Sequence, residues 1–396
     1  MKVGIAFLVA GYVLSQFYRA CLAVLAPTLG TEIGAAPGDL AVSLGLWYAG
    51  FALMQLPVGA ALDRIGPRRT VSVLLLLGGG GGAAVFALAT GPWGVHLAML
   101  LIGIGCAPVL MGGYYIFARM YAPAVFGTLA GAMIGVGSLG NLAGSTPLAW
   151  VIGAAGWRQT LWGLAAITAL VAAAIWRFTR DPARAERAPG ASGSVLGLLR
   201  IPGLWAILPL MAVNYVAAAG LRGVWAGPYL TQIYGADTAA IGKATLVMGL
   251  AMVAGNFLYG PADKLFGSHK RVVFGGNAVL AAILATLWLA PDAGLWQATA
   301  LMAGAGFFGA TFPAIMAHGR SFFPAHLVGR GVTLLNLFSI GGVGVLQFAS
   351  RPVYEAAAAR GTETQAFSAL FLFFLVPLVG GLLIYLFARD KGEATH

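Results

Sequence analysis

Two arginines stand inside long apolar segments of this chain. Arg19 lies within the apolar run 5–27, and Arg222 lies within a second run about 200 residues further on. An arginine at the centre of a membrane helix costs about 2.5–3.5 kcal/mol on insertion scales, so a chain that keeps one there has a use for it. Because a guanidinium binds carboxylate or phosphate through paired hydrogen bonds, the two residues predict an anion site inside a membrane.

The composition sets the class of protein. Of 396 residues, 60% are hydrophobic and 9% are charged, whereas a soluble domain carries about 25% charged residues. The net charge of +11 does not indicate a nucleic-acid partner, because the basic residues lie at the ends of apolar segments and form no basic patch. Cys21 and Cys106 both lie in apolar segments, so we expect no disulfide framework, metal site or cofactor.

Apolar segments of membrane-spanning length recur along the whole chain. They predict an all-α polytopic membrane protein with twelve transmembrane helices. The predicted spans are 3–29, 40–61, 70–90, 94–118, 127–151, 160–177, 203–230, 240–260, 272–290, 294–318, 329–350 and 366–388.

A polar segment divides the chain near its midpoint. Residues 178–202 contain charged, Pro, Gly and Ser residues, which are typical of a linker. We therefore expect two six-helix bundles, 1–177 and 203–396, joined by a cytoplasmic linker. Lys and Arg concentrate in the loops on the linker side, so both termini are predicted to be cytoplasmic, in a bacterial inner membrane.

The two halves also repeat in sequence. Arg119 is followed by Pro123, as Arg320 is followed by Pro324, at an offset of 201 residues. Two such six-helix repeats in parallel are typical of a transporter whose halves rock against each other.

One loop carries a recognisable motif, GAALDRIGPRR, between the second and third predicted helices. It resembles the G-x-x-x-D-R-x-G-x-R-R signature of the major facilitator superfamily, and a degenerate copy, GPADKLFGSHKR, occurs in the second half. The resemblance implies a secondary transporter, not an enzyme, that is monomeric in the lipid membrane. It also implies a set of residues that gate the cytoplasmic mouth: Gly59, Asp63, Arg64, Gly66, Arg68, Arg119, Asp263 and Arg320.

The two membrane arginines occupy equivalent positions in the repeat. Arg19 and Arg222 are 203 residues apart, which places them in helices one and seven. In the superfamily that the sequence resembles, these helices line the central cavity. All twelve acidic residues fall in predicted loops or at helix ends, so a substrate anion is expected to supply the missing negative charge. Because no acidic residue lies inside a predicted span, anion exchange, or symport of a proton with the substrate, is favoured over proton transfer through a buried carboxylate. The alternative is that the arginines snorkel outward or bind backbone carbonyls.

The surroundings of each arginine refine the resemblance. Aromatic residues precede Arg19 and Pro27 follows it, and Arg222 precedes Trp225. These patterns resemble the organic-phosphate and organic-anion branches of the superfamily, although Arg222 stands one helical turn closer to the tryptophan. Other candidate substrate-binding residues are the polar and aromatic residues of the apolar spans: Gln16, Tyr18, Tyr48, Tyr115, Asn214, Trp225 and Asn336.

Two other functions remain open from the sequence. Met248 and Met252 stand one turn apart, and thioethers suit a soft metal such as copper, although this spacing is more typical of core packing. An exporter of hydrophobic compounds is the second alternative. His318 and His326 are expected at the cytoplasmic mouth and not in a proton pathway.

Overall fold

A computed structural model describes residues 2–121, 123–182, 195–323 and 328–390. Within these ranges, the side chains at positions 2, 123–128, 130, 195–196, 260–265 and 328–330 are not described. His326 and the residues of the linker from 183 to 194 therefore lie outside the described residues.

The described helices group into twelve consecutive stretches. The first six are Lys2–Tyr18 with Cys21–Ile33; Pro37–Leu53 with Gln55–Arg64; Pro67–Leu74, Leu75–Gly80 and Gly81–Ala87; Pro92–Met120; Pro123–Ala143 with Thr146–Ala155; and Trp157–Phe178. The last six are Leu208–Val213, Val216–Gly220, Leu221–Trp225 and Ala226–Tyr234; Thr238–Phe266; His269–Leu289; Leu295–Phe308 with Phe312–Arg320; Val328–Ala358; and Glu363–Tyr385. Short 3₁₀ helices, Val195–Arg200 and Pro202–Ala206, precede the seventh stretch.

Most stretches can cross a membrane by length and composition. Among the described residues, nine helices qualify alone, and the two helices of the first stretch qualify together, with a bend of 47° between them. In the fifth stretch the apolar helices of the described residues are shorter, Gly131–Ala143 and Thr146–Ala155. The seventh stretch consists of several short helices. Because a bilayer offers no hydrogen-bond partners to an exposed backbone, an all-helical architecture is the physical consequence of this composition.

The predicted boundaries agree with the helices to within a few residues in most cases. Two kinds of detail were wrong: the first, second, fifth, seventh and tenth stretches are interrupted, and the eleventh continues to Ala358 instead of ending at 350. The extra turns contain an ion pair one turn apart, Arg351 Nε to Glu355 Oε1 at 2.9 Å. Such a pair stabilises helical turns beyond the apolar part of the helix. A prediction from hydropathy ends with the apolar residues and therefore missed these turns.

The chain forms two compact units. One comprises Met1–Glu186, Gly223–Thr231 and Ala236–Leu246, and the other comprises Arg187–Arg222, Gln232–Gly235 and Val247–His396. The second half of the seventh stretch and the beginning of the eighth therefore belong to the N-terminal unit. A two-bundle division at residues 178–202 stays a prediction.

Close glycine contacts hold the N-terminal unit together. A Cβ on Gly78 would lie 2.6 Å from the carbonyl oxygen of Leu101, and one on Gly82 would lie 2.9 Å from the backbone nitrogen of Ile102, so the two ends of the glycine run 78–82 pack tightly on the fourth stretch. Gly137, Gly140 and Gly144 of the fifth stretch face the first stretch in the same way. Small residues at such interfaces let membrane helices approach closely, and this packing accounts for the abundance of glycine here.

Candidate functional site

The first stretch is interrupted at the arginine. Helix Lys2–Tyr18 ends one residue before Arg19, and Cys21 begins the next helix at an angle of 47°. The backbone N–H of Ala20 donates to the carbonyl of Phe17 at 2.9 Å, which is a tighter turn than an α-helix makes. Arg19 is half-buried at this turn. Sequence reasoning identified the residue but not the interruption.

Arg19 is stacked on an aromatic side chain of the second stretch. Its Cζ lies 5.3 Å from the centroid of the Trp47 ring. Trp47 is fully buried, stacks on Phe51 at 5.1 Å and meets Tyr48 edge-on. A cation over a tryptophan face gains about 0.5–2 kcal/mol, which orients the guanidinium towards the second stretch.

A segment of the seventh stretch packs against the Arg19 turn within the same unit. A Cβ at Gly223 would lie 3.1 Å from the carbonyl oxygen of Arg19 and 2.6 Å from Leu44 Cδ2. A Cβ at Gly227 would overlap the carbonyl oxygen of Ala23. The two glycines let the backbone of the seventh stretch lie directly on the first.

Arg222 belongs to the C-terminal unit and lies in the π-helical segment Leu221–Trp225. It is 3% exposed, and the neighbouring Trp225 is fully buried. Its guanidinium therefore does not extend to the protein surface, as the snorkelling alternative requires. π-helical segments occur frequently at functional sites.

Several predicted substrate-binding residues have partners within the N-terminal unit. The Tyr18 hydroxyl is 2.8 Å from Thr168 Oγ1 of the sixth stretch, and Gln16 Nε2 donates to the Tyr12 hydroxyl at 2.9 Å. The Tyr115 ring lies 4.4 Å from Cζ of Arg119. The first contact joins two stretches, and the other two lie within a single helix. Tyr48 is connected to Arg19 through Trp47.

The remaining predicted side chains lie in the C-terminal unit. Asn214 is fully buried and donates from Nδ2 to Thr311 Oγ1 at 3.3 Å. Asn336 is half-buried in the eleventh stretch. Met248 and Met252 are buried and both approach Gly306 of the tenth stretch, which is a packing contact. Among the described residues there is no group of three or more His, Cys, Asp or Glu that could hold a metal.

The predicted gating loop contains a charge pair. Arg119 Nη2 lies 3.6 Å from Asp63 Oδ1, and the Asp63 side chain is largely exposed. Gly66 has φ +100°, a conformation that favours glycine, and Gly59 has open space around it. Arg320 ends the tenth stretch and is exposed. The side chain of Asp263 lies outside the described residues, so its pairing stays a prediction.

The comparison with protein families decides the class. Residues 8–346 match the family described as Major Facilitator Superfamily. The chain belongs to this superfamily. It is therefore a multi-pass membrane transporter of small molecules and not an enzyme, with the all-helical fold that the sequence predicted.

Individual relatives are distant. The chain is 23% identical over 175 residues to the uncharacterized transporter YybO of Bacillus subtilis (strain 168), covering 44% of this chain and 40% of the relative. It is 26% identical over 155 residues to a quinolone resistance transporter of Acinetobacter baumannii, covering 35% of this chain and 36% of the relative. The chain thus matches about two fifths of the length of these relatives. The crystal structure of a D-xylose-proton symporter aligns with 100% of this chain and 99% of its own at TM-score 0.81 and 14% identity, which shows a shared fold.

Sequence reasoning missed one structural carboxylate in each half of this transporter. Asp181 accepts from the backbone N–H of Arg68 at 2.7 Å, and Asp390 accepts from the backbone N–H of Lys270 at 3.2 Å. Both aspartates thereby cap the beginning of a helix, the third or the ninth stretch. The signal was present, because the same Arg-Asp dipeptide follows the sixth and the twelfth stretch at 180–181 and 389–390.

His318 lies in the last turn of the tenth stretch, as expected, but not on the surface. It is fully buried, its Nδ1 is 2.6 Å from the Tyr385 hydroxyl, and its Nε2 is 3.2 Å from the carbonyl oxygen of Arg389. The ring also stacks at 6.0 Å on His269. His318 therefore joins the ends of the tenth and twelfth stretches to the beginning of the ninth.

Proposed function

We propose that the protein moves a small organic anion, a carboxylate or a phosphorylated metabolite, by alternating access, and that Arg19 and Arg222 bind the anion. The superfamily supplies the transport class, and the two arginines supply the charge preference. The observation that carries the proposal is the place of Arg19, half-buried at an interruption of the first stretch and oriented by Trp47. Interrupted membrane helices are a recurrent feature of substrate sites in transporters.

The burial of Arg222 supports the same reading. Arg222 is 3% exposed in an apolar segment, so an anionic ligand would meet its charge in a poorly hydrated environment, where the attraction between opposite charges is strong. Arg19 and Arg222 are 203 residues apart, close to the 201-residue offset of the internal repeat. Two arginines at nearly equivalent positions favour a function that they share.

A thermal-stability screen of the purified full chain against small carboxylates and phosphate esters tests the proposal. A ligand that binds the folded state raises the unfolding temperature by mass action. We expect one class of anion to stabilise the wild type, and Arg19→Ala and Arg222→Ala to abolish that response. Arg360→Ala is the matched control, because Arg360 is exposed and follows the eleventh stretch. An unchanged response in both arginine variants contradicts the proposal.

A second candidate is export of hydrophobic compounds, supported by the partial similarity to a quinolone resistance transporter. The same screen separates the two. Stabilisation by a quinolone or a hydrophobic cation, together with no response to any anion, favours export.

We further propose an orientation with both termini in the cytoplasm of a bacterial inner membrane, as a monomer. The concentration of Lys and Arg in the loops on one side supports this orientation. Labelling of single cysteines introduced at Arg360 and Arg200 with a membrane-impermeant maleimide tests it. The cysteine at position 360 is expected to react in intact cells, and the cysteine at position 200 only after permeabilisation.

A further inference from the structure

A group of uncharged polar side chains is buried inside the C-terminal unit. Asn214, Asn277 and Thr311 are each fully buried and come from the seventh, ninth and tenth stretches. Thr311 Oγ1 joins them, because it lies 3.3 Å from Asn214 Nδ2 and 3.0 Å from Asn277 Nδ2.

The amide oxygens of this group are unused. Oδ1 of Asn214 and Oδ1 of Asn277 are buried and have no hydrogen-bond donor among the described residues. The orientation of Asn277 is set by two acceptors, since its Nδ2 also donates to the carbonyl of Val273 at 2.8 Å. A buried oxygen with free electron pairs is costly, so this site favours a ligand that accepts electron pairs.

The group lies where two helices are interrupted. Thr311 follows the break after Phe308 in the tenth stretch, and Asn214 lies at the break between Val213 and Val216 in the seventh. Pro313 has no N–H, so the carbonyl of Gly309 lacks the donor that an α-helix places four residues on. Carbonyls released at such breaks coordinate cations in membrane transporters.

A fourth helix contributes a hydroxyl. Gly276 precedes Asn277. A Cβ at Gly276 would lie 2.5 Å from the Tyr259 hydroxyl and 2.6 Å from Thr311 Cγ2. The absence of a side chain at Gly276 thus lets the eighth stretch place the Tyr259 hydroxyl beside the group.

We propose that the amide oxygens of Asn214 and Asn277, together with the Tyr259 hydroxyl, bind sodium, and that Thr311 holds the two amides in place by accepting a hydrogen bond from each. The three binding residues supply neutral oxygens. Mg²⁺ and Ca²⁺ are bound chiefly through carboxylates, and soft metals through sulfur or imidazole, so neutral oxygen ligands fit a hard monovalent cation best. Sodium bound here and a singly charged anion bound at the arginines would cross the membrane together as an electroneutral pair. That coupling rests on the proposed function, whereas sodium binding itself does not.

The first test measures thermal unfolding of the purified full chain in sodium chloride and in choline chloride at equal ionic strength and equal chloride. We expect a saturable rise of roughly 2–5 °C with sodium. Thr311→Val and Asn277→Leu, which keep similar volume, should lose the rise. Thr299→Val is the matched control, because Thr299 lies in the same stretch and bonds only its own helix in the described contacts, at Leu295.

Two results would overturn the sodium site: equal unfolding temperatures in both salts, or an undiminished sodium response in a folded Thr311→Val variant. The Arg19→Ala variant separates this proposal from the transport proposal. It should lose the response to anions and keep the response to sodium, so each proposal can fail without the other.

Discussion

Asp181 lies against Gly66 and accepts a 2.7 Å hydrogen bond from the backbone N–H of Arg68. The Arg68 side chain completes the contact by donating from Nε to the carbonyl of Trp176 at 2.6 Å. In the second half, Lys270 donates from its backbone to Asp390 and from Nζ to the carbonyl of Leu386 at 2.7 Å. Each half therefore joins its third helix to its sixth by the same reciprocal capping contact.

Removing this contact is expected to destabilise the protein. Loss of an N-terminal helix cap costs about 0.5–2 kcal/mol, so Asp181→Ala should lower the unfolding temperature by a few degrees. Asp390→Ala should have at least the same effect, because Asp390 also accepts from Ser268 Oγ. Asp292→Ala is the control, since Asp292 is exposed in a loop. Equal unfolding temperatures for all three variants would rule out a capping role.

Glycine substitutions test the packing of the first stretch on the fifth. A Cβ at Gly140 would overlap the carbonyl oxygen of Val13, whereas a Cβ at Gly153, also on the fifth stretch, has open space. Gly140→Ala is therefore expected to reduce the folded yield and the unfolding temperature. Gly153→Ala should be neutral or stabilising by up to about 1 kcal/mol, through helix propensity. Size-exclusion profiles and thermal unfolding of both variants provide the measurement, and a well-folded Gly140→Ala protein would contradict the close contact.

The stacking of Arg19 on Trp47 predicts that lysine cannot replace the arginine. Lysine keeps the charge but loses the planar fork and the stacked geometry. Arg19→Lys is expected to weaken anion binding by about tenfold, or roughly 1.4 kcal/mol, as measured by the anion concentration needed for half-maximal thermal stabilisation. Arg360→Lys serves as the control. Wild-type affinity in Arg19→Lys would mean that charge alone is sufficient at this position.

The pair between Asp63 and Arg119 predicts a kinetic effect without a large effect on stability. Exposed ion pairs contribute about 0–1 kcal/mol, so Asp63→Asn should leave the unfolding temperature nearly unchanged. If the pair stabilises one closed state, as we propose, the variant should change the rate of substrate uptake into proteoliposomes. Glu355→Gln removes a second exposed carboxylate that pairs with an arginine, Arg351, and should leave uptake unchanged. Equal uptake rates in both variants would argue against gating by Asp63.

Buried contacts of His318 predict a structural role. His318→Ala removes partners of the Tyr385 hydroxyl and of the Arg389 carbonyl and leaves a void, so it should lower stability by about 2–4 kcal/mol. His318→Asn, which can keep one of the two hydrogen bonds, should lower it less. Thermal unfolding of the two variants measures the difference, and an alanine variant as stable as the wild type would show that the contacts are dispensable.

The sequence was sufficient for the properties that depend on local composition. Apolar segments of membrane length determine that the chain is helical and polytopic, because no other backbone arrangement satisfies its hydrogen bonds in lipid apart from a closed barrel. The loop motif identified the superfamily, but it did not predict that its Asp63 pairs with Arg119, which lies outside the motif. Charged residues are concentrated in the loops, which lie outside the membrane. Their positions in the sequence are therefore informative about the family.

The tertiary structure decided which side chains meet inside the bundles. Tyr18 has a hydrogen-bond partner in Thr168, and Thr311 joins two asparagines across a helix break, and neither contact was predicted. In a membrane helix the face towards lipid and the face towards other helices are both apolar, so hydrophobic periodicity does not distinguish them. Which residues become neighbours therefore depends on close packing over glycines such as Gly140 and Gly276, and that packing exists only in the folded chain.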